Sequence, residues 1–268
     1  MKLKASVTFD GVAWRGKVLT PSMRALPAEV PVAFVYDGGT EAVMMASPAD
    51  LEDFALGFSL NDGIIAAREE IAELGIVEVE RGIELRMTLT PRNREMLVSR
   101  RRHRAGPVGC GLCGVESIAA AVPPLPRVTA NLTLAADEIV GAMRAMASLQ
   151  KLNAETHAVH AAGFYVRGEG VVAVREDVGR HNALDKLAGA LVHSGRKACD
   201  GVLLMTSRVS VELVQKAAVM GAPVLAAVSA PTALALREAD AACITVVGIV
   251  RDDGLEVFTH ARRIGNAS

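Results

Sequence analysis

The chain has 268 residues, of which 51% are hydrophobic and 22% are charged. These proportions are typical of a globular protein with a large core and exclude an intrinsically disordered chain. Its 29 basic and 30 acidic residues leave a net charge of −1, and aromatic residues make up only 3% of the sequence. No overall field therefore draws the chain to DNA or to a membrane, and few rings are available to stack on single strands. We expect no nucleic-acid partner and no membrane partner.

The N-terminal residues 1–14 lack the apolar run of a signal peptide. The most apolar stretch, residues 224–236, is interrupted by Ser229, Pro231 and Thr232, which makes it too short for a membrane span. These features predict a soluble cytoplasmic protein. A proline-rich linker at residues 123–126 predicts two domains, 1–125 and 126–268.

The first half of the chain is predicted to be a small α+β domain. A run of leucine, alanine and phenylalanine at helical spacing predicts one helix at residues 48–60, with Ser47 as its N-cap and Pro48 at its first position. Short apolar runs bounded by glycine turns predict four strands, at residues 30–36, 41–46, 76–80 and 83–89.

The second half alternates apolar runs with amphipathic segments. The predicted strands cover residues 164–166, 171–174, 202–206, 223–228 and 244–250. The predicted helices cover residues 137–152, 182–193, 210–220 and 232–241. Strands that alternate with helices of about ten residues indicate parallel βα units, so this half is predicted to be a three-layer α/β/α domain.

The sequence Cys110-Gly-Leu-Cys113, flanked by Gly109 and Gly114, is the sharpest chemical motif. A predicted helix start after it and the arginines at residues 100–104 before it would lower the thiol pKa, and the thiolate is the nucleophilic form. A zinc site with His157 and His160 is less favoured, because structural zinc sites normally bring a second ligand pair at short spacing. Two inert thiols remain an alternative. Reactive thiol chemistry without a metal is the favoured prediction.

The remaining cysteines and histidines are given structural roles. Cys199 and Cys243 stand alone beside apolar strands and are predicted to lie in the core. His160 is most simply explained as a buried histidine that is hydrogen-bonded.

Polar residues cluster at two predicted junctions between a strand and a helix. One is the segment from Arg175 to Lys186, and the other runs from Thr206 to Ser210. Open α/β sheets bind ligands outside the carboxyl ends of their strands, where helix N–H groups and an arginine can hold phosphate. A salt-bridged corner at the first junction, and a plain N-cap at Ser210, are equally supported alternatives.

These motifs, taken together, resemble the FdhD family, the sulfur carrier proteins that formate dehydrogenases need for activity. The resemblance runs in order over most of residues 30–260. Its matching segments are residues 109–114, 160–162, 175–186, 207–208, 212–216, 223–231 and 248–251.

The resemblance implies that a cysteine desulfurase passes persulfide sulfur to Cys110, with Cys113 as its partner. That sulfur is then delivered to the molybdenum of a bis-(molybdopterin guanine dinucleotide) cofactor, bound as a substrate, for the catalytic subunit of formate dehydrogenase. It also implies a C-terminal domain like the cytidine deaminase fold, and a homodimer.

The segment that the resemblance maps to cofactor binding comprises Ile249, Val250, Arg251, Asp252, Asp253 and Gly254. To it we add Arg180, His181, Asn182, Ser207 and Arg208 from the two junctions, and we expect GDP to bind there as a fragment of the cofactor.

Two other classes of function remain open. A dithiol oxidoreductase would form a reversible disulfide between Cys110 and Cys113, and a non-catalytic cofactor chaperone would need neither cysteine. A zinc deaminase is excluded, because its Pro-Cys-x-x-Cys motif does not occur in the sequence.

Overall fold

The computed structural model describes residues 3–91 and 122–265. Cys110, Cys113 and the arginine run at residues 100–104 lie outside the described residues, and the predictions made for them stay predictions.

The first part of the chain contains a long hairpin, a four-stranded sheet and a helix. Strands β1 (Ser6–Arg15) and β2 (Val18–Pro27) form the hairpin. The sheet has the order β4-β3-β6-β5, built from β3 (Val30–Tyr36), β4 (Gly39–Ala46), β5 (Ile71–Val79) and β6 (Gly82–Leu89). Helix α1 (Leu51–Asn61) packs on it, with the ring of Phe34 stacked 4.0 Å from that of Phe58 and edge-on to that of Phe54.

A six-stranded sheet organises the second part of the chain, in the order β13-β12-β11-β10-β8-β9. Its strands are β8 (His160–Val166), β9 (Gly170–Asp177), β10 (Val202–Met205), β11 (Val224–Ala227), β12 (Thr245–Arg251) and β13 (Gly254–Val257). Two short strands, β7 (Leu134–Ala135) and β14 (Ile264–Gly265), pair with each other nearby.

Helices cover both faces of this sheet. They are α2 (Ala136–Leu149), α3 (Lys151–Thr156), α4 (Arg180–His193), α5 (Val211–Met220) and α6 (Ala233–Ala241). Because side chains alternate along a strand, Leu203 and Met205 pack against α4, α5 and α6, whereas Val202 and Leu204 pack against α2. None of the helices in the described residues is long and apolar enough to cross a membrane.

The mixed α/β class is as expected, but the prediction of parallel strands holds only for β10, β11 and β12. Strands β8, β9 and β13 are antiparallel to their neighbours. The connections after β8 and β12 are turns of two or three residues, too short for the crossover that parallel strands need. The likeness to the cytidine deaminase fold and the domain boundary at residue 125 stay predictions.

Two local predictions are wrong. No strand was predicted before residue 30, yet the hairpin occupies residues 6–27. Helix α1 begins at Leu51, after Asp50 in a left-handed conformation, and Ser47 is not its cap. Ser47 is buried instead, and its backbone N–H donates to the carboxylate of Asp177 at 3.0 Å. A long-range partner has therefore replaced the local one.

Candidate functional site

The start of β8 and the ends of β9, β10, β11 and β12 meet at one edge of the six-stranded sheet. The register fixes this arrangement: His160 lies opposite Asp177, Met205 opposite Ala162, and Met205 also opposite Ala227. Helices α4 and α5 begin at this edge, so their free N–H groups are directed toward it. We call it the open edge.

His181, in the first turn of α4, lies beside the start of α5. Its Nε2 atom is 3.4 Å from the Ser210 hydroxyl and 3.8 Å from a Glu212 carboxylate oxygen. Burial lowers the pKa of His181 to about 4, and the neighbouring charge of Arg180 adds to the effect, although Glu212 opposes it. The imidazole is therefore neutral at pH 7, and a hydrogen-bonded partner rather than a charge.

Arg180 supplies the positive charge at this corner. The Nε atom of Arg180 is buried and has no hydrogen-bond partner among the described residues. The pKa of His160 is lowered by burial and then by the Arg180 charge, so this histidine is also biased toward its neutral form. A cation between two neutral imidazoles, with one buried donor unsatisfied, has the chemistry of an anion site.

Glu212 is held as a carboxylate by its surroundings. Burial alone would raise its pKa, but a hydrogen bond from Ser210, the backbone N–H of Glu212 and the nearby His181 and Arg180 lower it. Ser210 occupies the N-cap position of α5 without making the cap hydrogen bond, so its hydroxyl is directed at this cluster instead.

Two predicted ligand residues that follow β10 differ in their exposure to solvent. Ser207 is buried, and its hydroxyl donates to the carbonyl oxygen of Arg208 at 3.0 Å. Arg208 itself is exposed. Of the two, Arg208 has the side chain that can meet a large anion from solvent.

The predicted segment from Ile249 to Gly254 has a strained backbone. Ile249 has a φ of 53°, inside an irregularity of β12 between Gly248 and Arg251. A β-branched residue rarely adopts a positive φ, and strain of about 1–3 kcal/mol of this kind clusters at functional sites. The backbone is therefore held in a special shape at a position mapped to cofactor binding.

Side chains of this segment are divided between core and surface. Val250 is buried and packs in the core, although it also lines the cavity described below. Arg251 donates to the carbonyl oxygens of Val228 and Val250. Asp252 accepts two hydrogen bonds from Arg144, and Asp253 is exposed. Arg251 and Asp252 line a cavity of about 230 Å³ that also reaches Thr206 at the end of β10.

Asn182, predicted as a cofactor ligand, has a buried side chain whose amide nitrogen contacts other parts of the protein. It is 3% exposed, and its amide nitrogen donates to the Met45 carbonyl oxygen and to Asp177, both at 2.8 Å. Asp177 also forms a 2.6 Å ion pair with Lys186, and both of these side chains are fully buried. Lys186 donates in addition to the carbonyl oxygen of Ser47. These contacts connect the 175–186 motif with Met45 and Ser47 in the first part of the chain.

The same contact surface continues along helices α1 and α4. Asp185 is paired with Lys216 at 2.6 Å and accepts from Asn61 at 2.7 Å. Its pKa is raised, because full burial outweighs the neighbouring cation. Asp53 of α1 contacts His193 at 2.6 Å and Arg175 at 2.7 Å. We call this surface, from Ser47 and Asp177 to Asp53 and His193, the seam.

Glycines allow the two helices of the seam to touch. A Cβ atom on Gly57 would lie 1.7 Å from the carbonyl oxygen of Asp185, and one on Gly189 would lie 2.0 Å from that of Asp53. No side chain fits at either position, because the partner atom is backbone.

The two described cysteines are half-buried, so the prediction that they lie in the core is wrong. A guanidinium nitrogen of Arg127 lies 3.2 Å from the sulfur of Cys243. Within residues 3–91 and 122–265 there is no group of three metal-binding side chains. The prediction that the chain holds no metal concerns Cys110 and Cys113 and stays a prediction.

Sequence reasoning treated His160 as structural and gave Ser47 only the role of a helix N-cap. The pairing of β8 with β9 brings His160 to the open edge, and the seam uses Ser47. Neither position carries a local pattern that distinguishes it, since each depends on residues more than 15 positions away.

Comparison with known proteins places these features in a family. A sequence model of the FdhD/NarQ family matches residues 27–265. The chain is 57% identical over 242 residues to a protein of Agrobacterium fabrum, covering 90% of this chain and 89% of that one. It is 53% identical over 262 residues to one of Brucella abortus, covering 97% of each. Both relatives are named sulfur carrier protein FdhD.

A solved structure agrees with these sequence matches. The crystal structure described as a formate dehydrogenase accessory protein from Desulfotalea psychrophila superposes with a TM-score of 0.75 at 26% identity, over 98% of this chain and all of that one. The family model spans both the four-stranded and the six-stranded sheet, together with the glycine-flanked cysteine pair. The chain therefore belongs to the FdhD/NarQ family.

Proposed function

We propose that this chain is a sulfurtransferase that carries persulfide sulfur from a cysteine desulfurase to the molybdenum cofactor of a formate dehydrogenase. Cys110 carries the sulfur, and Cys113 is its partner. The observation that carries the proposal is the presence of this glycine-flanked cysteine pair inside the region matched to a family whose curated members are named sulfur carrier proteins.

Loading is an exchange between two thiols. The Cys110 thiolate attacks the outer sulfur of the desulfurase persulfide, the desulfurase cysteine leaves as a thiolate, and the outer sulfur remains on Cys110. No net oxidation occurs in this step. A thiol bound to zinc would be a poorer acceptor, which is why we propose that the pair holds no metal.

Delivery requires two electrons, because persulfide sulfur must be reduced to become a sulfido ligand. Attack of the Cys113 thiolate on the inner sulfur supplies them: a disulfide forms between Cys110 and Cys113, and hydrosulfide is released. The hydrosulfide replaces one oxo ligand of molybdenum, and that oxygen leaves as water after taking up one further proton. A dithiol reductant then reopens the disulfide.

The open edge is proposed to hold the guanine dinucleotide part of the cofactor. The unsatisfied Nε of Arg180, the exposed guanidinium of Arg208 and the starts of α4 and α5 are donors suited to a diphosphate. Backbone groups of the strained segment at Ile249, with Arg251 and the carboxylates of Asp252 and Asp253, complete the set that the family resemblance assigns.

Three further properties belong to this proposal. The protein works in the cytoplasm, it forms a homodimer, and its six-stranded domain shares the cytidine deaminase arrangement. The last is supported by the helices on both faces of the sheet.

The sulfur step is tested by mass spectrometry after incubation with a desulfurase and cysteine. Wild type is expected to gain the mass of one sulfur atom and to activate a formate dehydrogenase, and Cys110→Ala to do neither. Cys113→Ala should still be loaded but should deliver sulfur more slowly, because only the dithiol reductant can then reduce the persulfide. Cys199→Ala and Cys243→Ala are the matched controls and should behave as wild type.

The same experiment separates the two rival functions. A dithiol oxidoreductase would form a disulfide of defined potential without gaining sulfur. A cofactor chaperone would keep its effect on the dehydrogenase after loss of both cysteines. Full activation by Cys110→Ala would overturn the sulfur carrier mechanism.

The nucleotide site is tested by calorimetric titration with GDP and ADP. We expect GDP to bind more tightly, and Arg208→Ala to weaken GDP binding by about ten- to hundredfold, since a charged phosphate contact is worth about 1.5–3 kcal/mol. Equal affinity for both nucleotides, or no loss in the variant, would place the site elsewhere.

A further inference from the structure

The hairpin of β1 and β2 is apolar on both of its faces. Eight large hydrophobic side chains of residues 6–27 are exposed, among them Trp14, which is 66% exposed, and Met23, which is 74% exposed. Trp14 and Val12 lie on one face, and Phe9 and Val7 on the other, because side chains alternate along a strand. An isolated two-stranded ribbon is only marginally stable in water. A second surface must therefore complete it.

The hairpin is attached to the rest of the molecule mainly at its base. The Ser6 hydroxyl donates to Glu155 of α3 at 2.9 Å, and the backbone N–H of Leu3 donates to Glu78 at 3.3 Å. From this base to its tip the ribbon comprises ten residue pairs, which corresponds to about 33 Å.

The charge of the hairpin limits what can cover it. Residues 6–27 contain three basic side chains, Arg15, Lys17 and Arg24, and one acidic side chain, Asp10. Arg15 and Lys17 flank the turn at the tip, next to Trp14. Two such cationic tips repel each other, which disfavours a second copy of this chain. An apolar surface with an acidic rim is complementary to it.

The hairpin lies before the region that the family model matches. The family match begins at residue 27, so it contains the cysteine pair and the open edge but not the hairpin. Delivery of a cofactor requires the receiving protein to be held until insertion is complete, and a long apolar arm is suited to that contact.

We propose that the hairpin is a docking arm for the apoprotein that receives the cofactor, the catalytic subunit of formate dehydrogenase, which presents an apolar surface with an acidic rim. This inference rests on the proposed function. Trp14 and Phe9 supply the apolar contact, and Arg15 and Lys17 the electrostatic steering.

Trp14 is the only tryptophan of the chain, so it reports directly on the arm. The full chain is labelled with 5-fluorotryptophan, and its fluorine NMR signal is followed during titration with purified, cofactor-free catalytic subunit. We expect the signal to shift and broaden. The charge reversal R15E with K17E should weaken binding at least about tenfold and reduce its salt dependence.

Val43→Ser is the matched control, because Val43 is a similarly exposed apolar residue of a strand outside the arm. It should leave binding unchanged, whereas F9S with W14S should abolish binding measured by calorimetry. Both variants should keep the urea midpoint of wild type, since their side chains are exposed.

Other occupants would overturn the proposal. A Trp14 signal that changes with the concentration of this chain alone would assign the arm to a second copy, a change with desulfurase alone would assign it to the sulfur donor, and a change with anionic lipid vesicles alone would assign it to a membrane. Arm variants that bind the subunit as tightly as wild type would also overturn it.

Failure of the proposed function has a different signature. Sulfur loading of Cys110 should be unaffected in the arm variants, so loss of binding with normal loading supports the arm. Absence of sulfur loading in wild type would refute the carrier function, whatever the arm binds.

Discussion

The seam and the open edge are built from the same short stretch of sequence, yet their charged side chains have different surroundings. At the seam, Asp177, Asn182 and Lys186 are buried, and each has close hydrogen-bonding or ionic partners. At the open edge, Arg180 and His181 are the first residues of helix α4, and the Arg180 Nε atom lacks a partner among the described residues.

The difference separates charged residues that stabilise the fold from charged residues that can bind a ligand. In the seam, Lys186 and Lys216 are paired with carboxylates and hold two parts of the chain together, although Asn61 Oδ1 and Asp185 Oδ2 there have no hydrogen-bond partner among the described residues. At the open edge, a cation with a free donor beside neutral imidazoles is available for a ligand. The two roles predict effects on different quantities. Substitutions at the seam should lower the free energy of unfolding, and substitutions at the open edge should weaken nucleotide binding.

The largest effect is expected for Gly57→Ala at the seam. The new Cβ atom would lie 1.7 Å from the backbone oxygen of Asp185, so helices α1 and α4 must separate. We expect a loss of about 4 kcal/mol or more in the free energy of unfolding, measured by urea denaturation. Gly141→Ala in α2, which meets no atom within 4 Å, is the control and should be neutral or stabilising. Equal stability of the two variants would contradict the close helix contact.

Lys186→Met should have the next largest effect. It removes the cation 2.6 Å from Asp177 and leaves a buried carboxylate unpaired, which costs about 3 kcal/mol. The double variant D177N with K186M should recover part of that loss, because no charge then remains buried. A double-mutant cycle in urea measures the coupling, and purely additive effects would show that the pair does not interact.

His181→Gln is expected to have the smallest effect, visible only in acid. The folded-state pKa of His181 is about 4, below its ordinary value of 6.5, so the unfolded chain binds the proton more readily. Stability is therefore complete above pH 6.5 and is lost as the pH falls toward 4, by about 2 kcal/mol at pH 5.

The variant should be as stable as wild type at pH 7 and should show less of this acid loss in urea titrations at several pH values. The part that remains is expected to come from His160, whose pKa is lowered in the same direction. Identical pH profiles for the two proteins would mean that His181 is not buried beside Arg180.

Much of the architecture can be predicted from local pattern. The central strands β10, β11 and β12 and the helices that follow them lie close to where apolar runs and helical spacing place them. The hairpin of residues 6–27 was missed because its strands are apolar on both faces and exposed, so they show neither an alternating pattern nor a buried run.

The sequence by itself determined the family and the residue types available for chemistry, because the cysteine pair and the 175–186 motif are contiguous. Only the tertiary structure decided which residues of that motif lie at the open edge and which lie in the seam. Asn182 and Lys186 find their partners at residues 45 and 47, more than 130 positions away, and no local pattern records a partner at that distance. Arg180, at the open edge, lies only two positions before Asn182 of the seam, because a helix presents neighbouring positions to different surroundings.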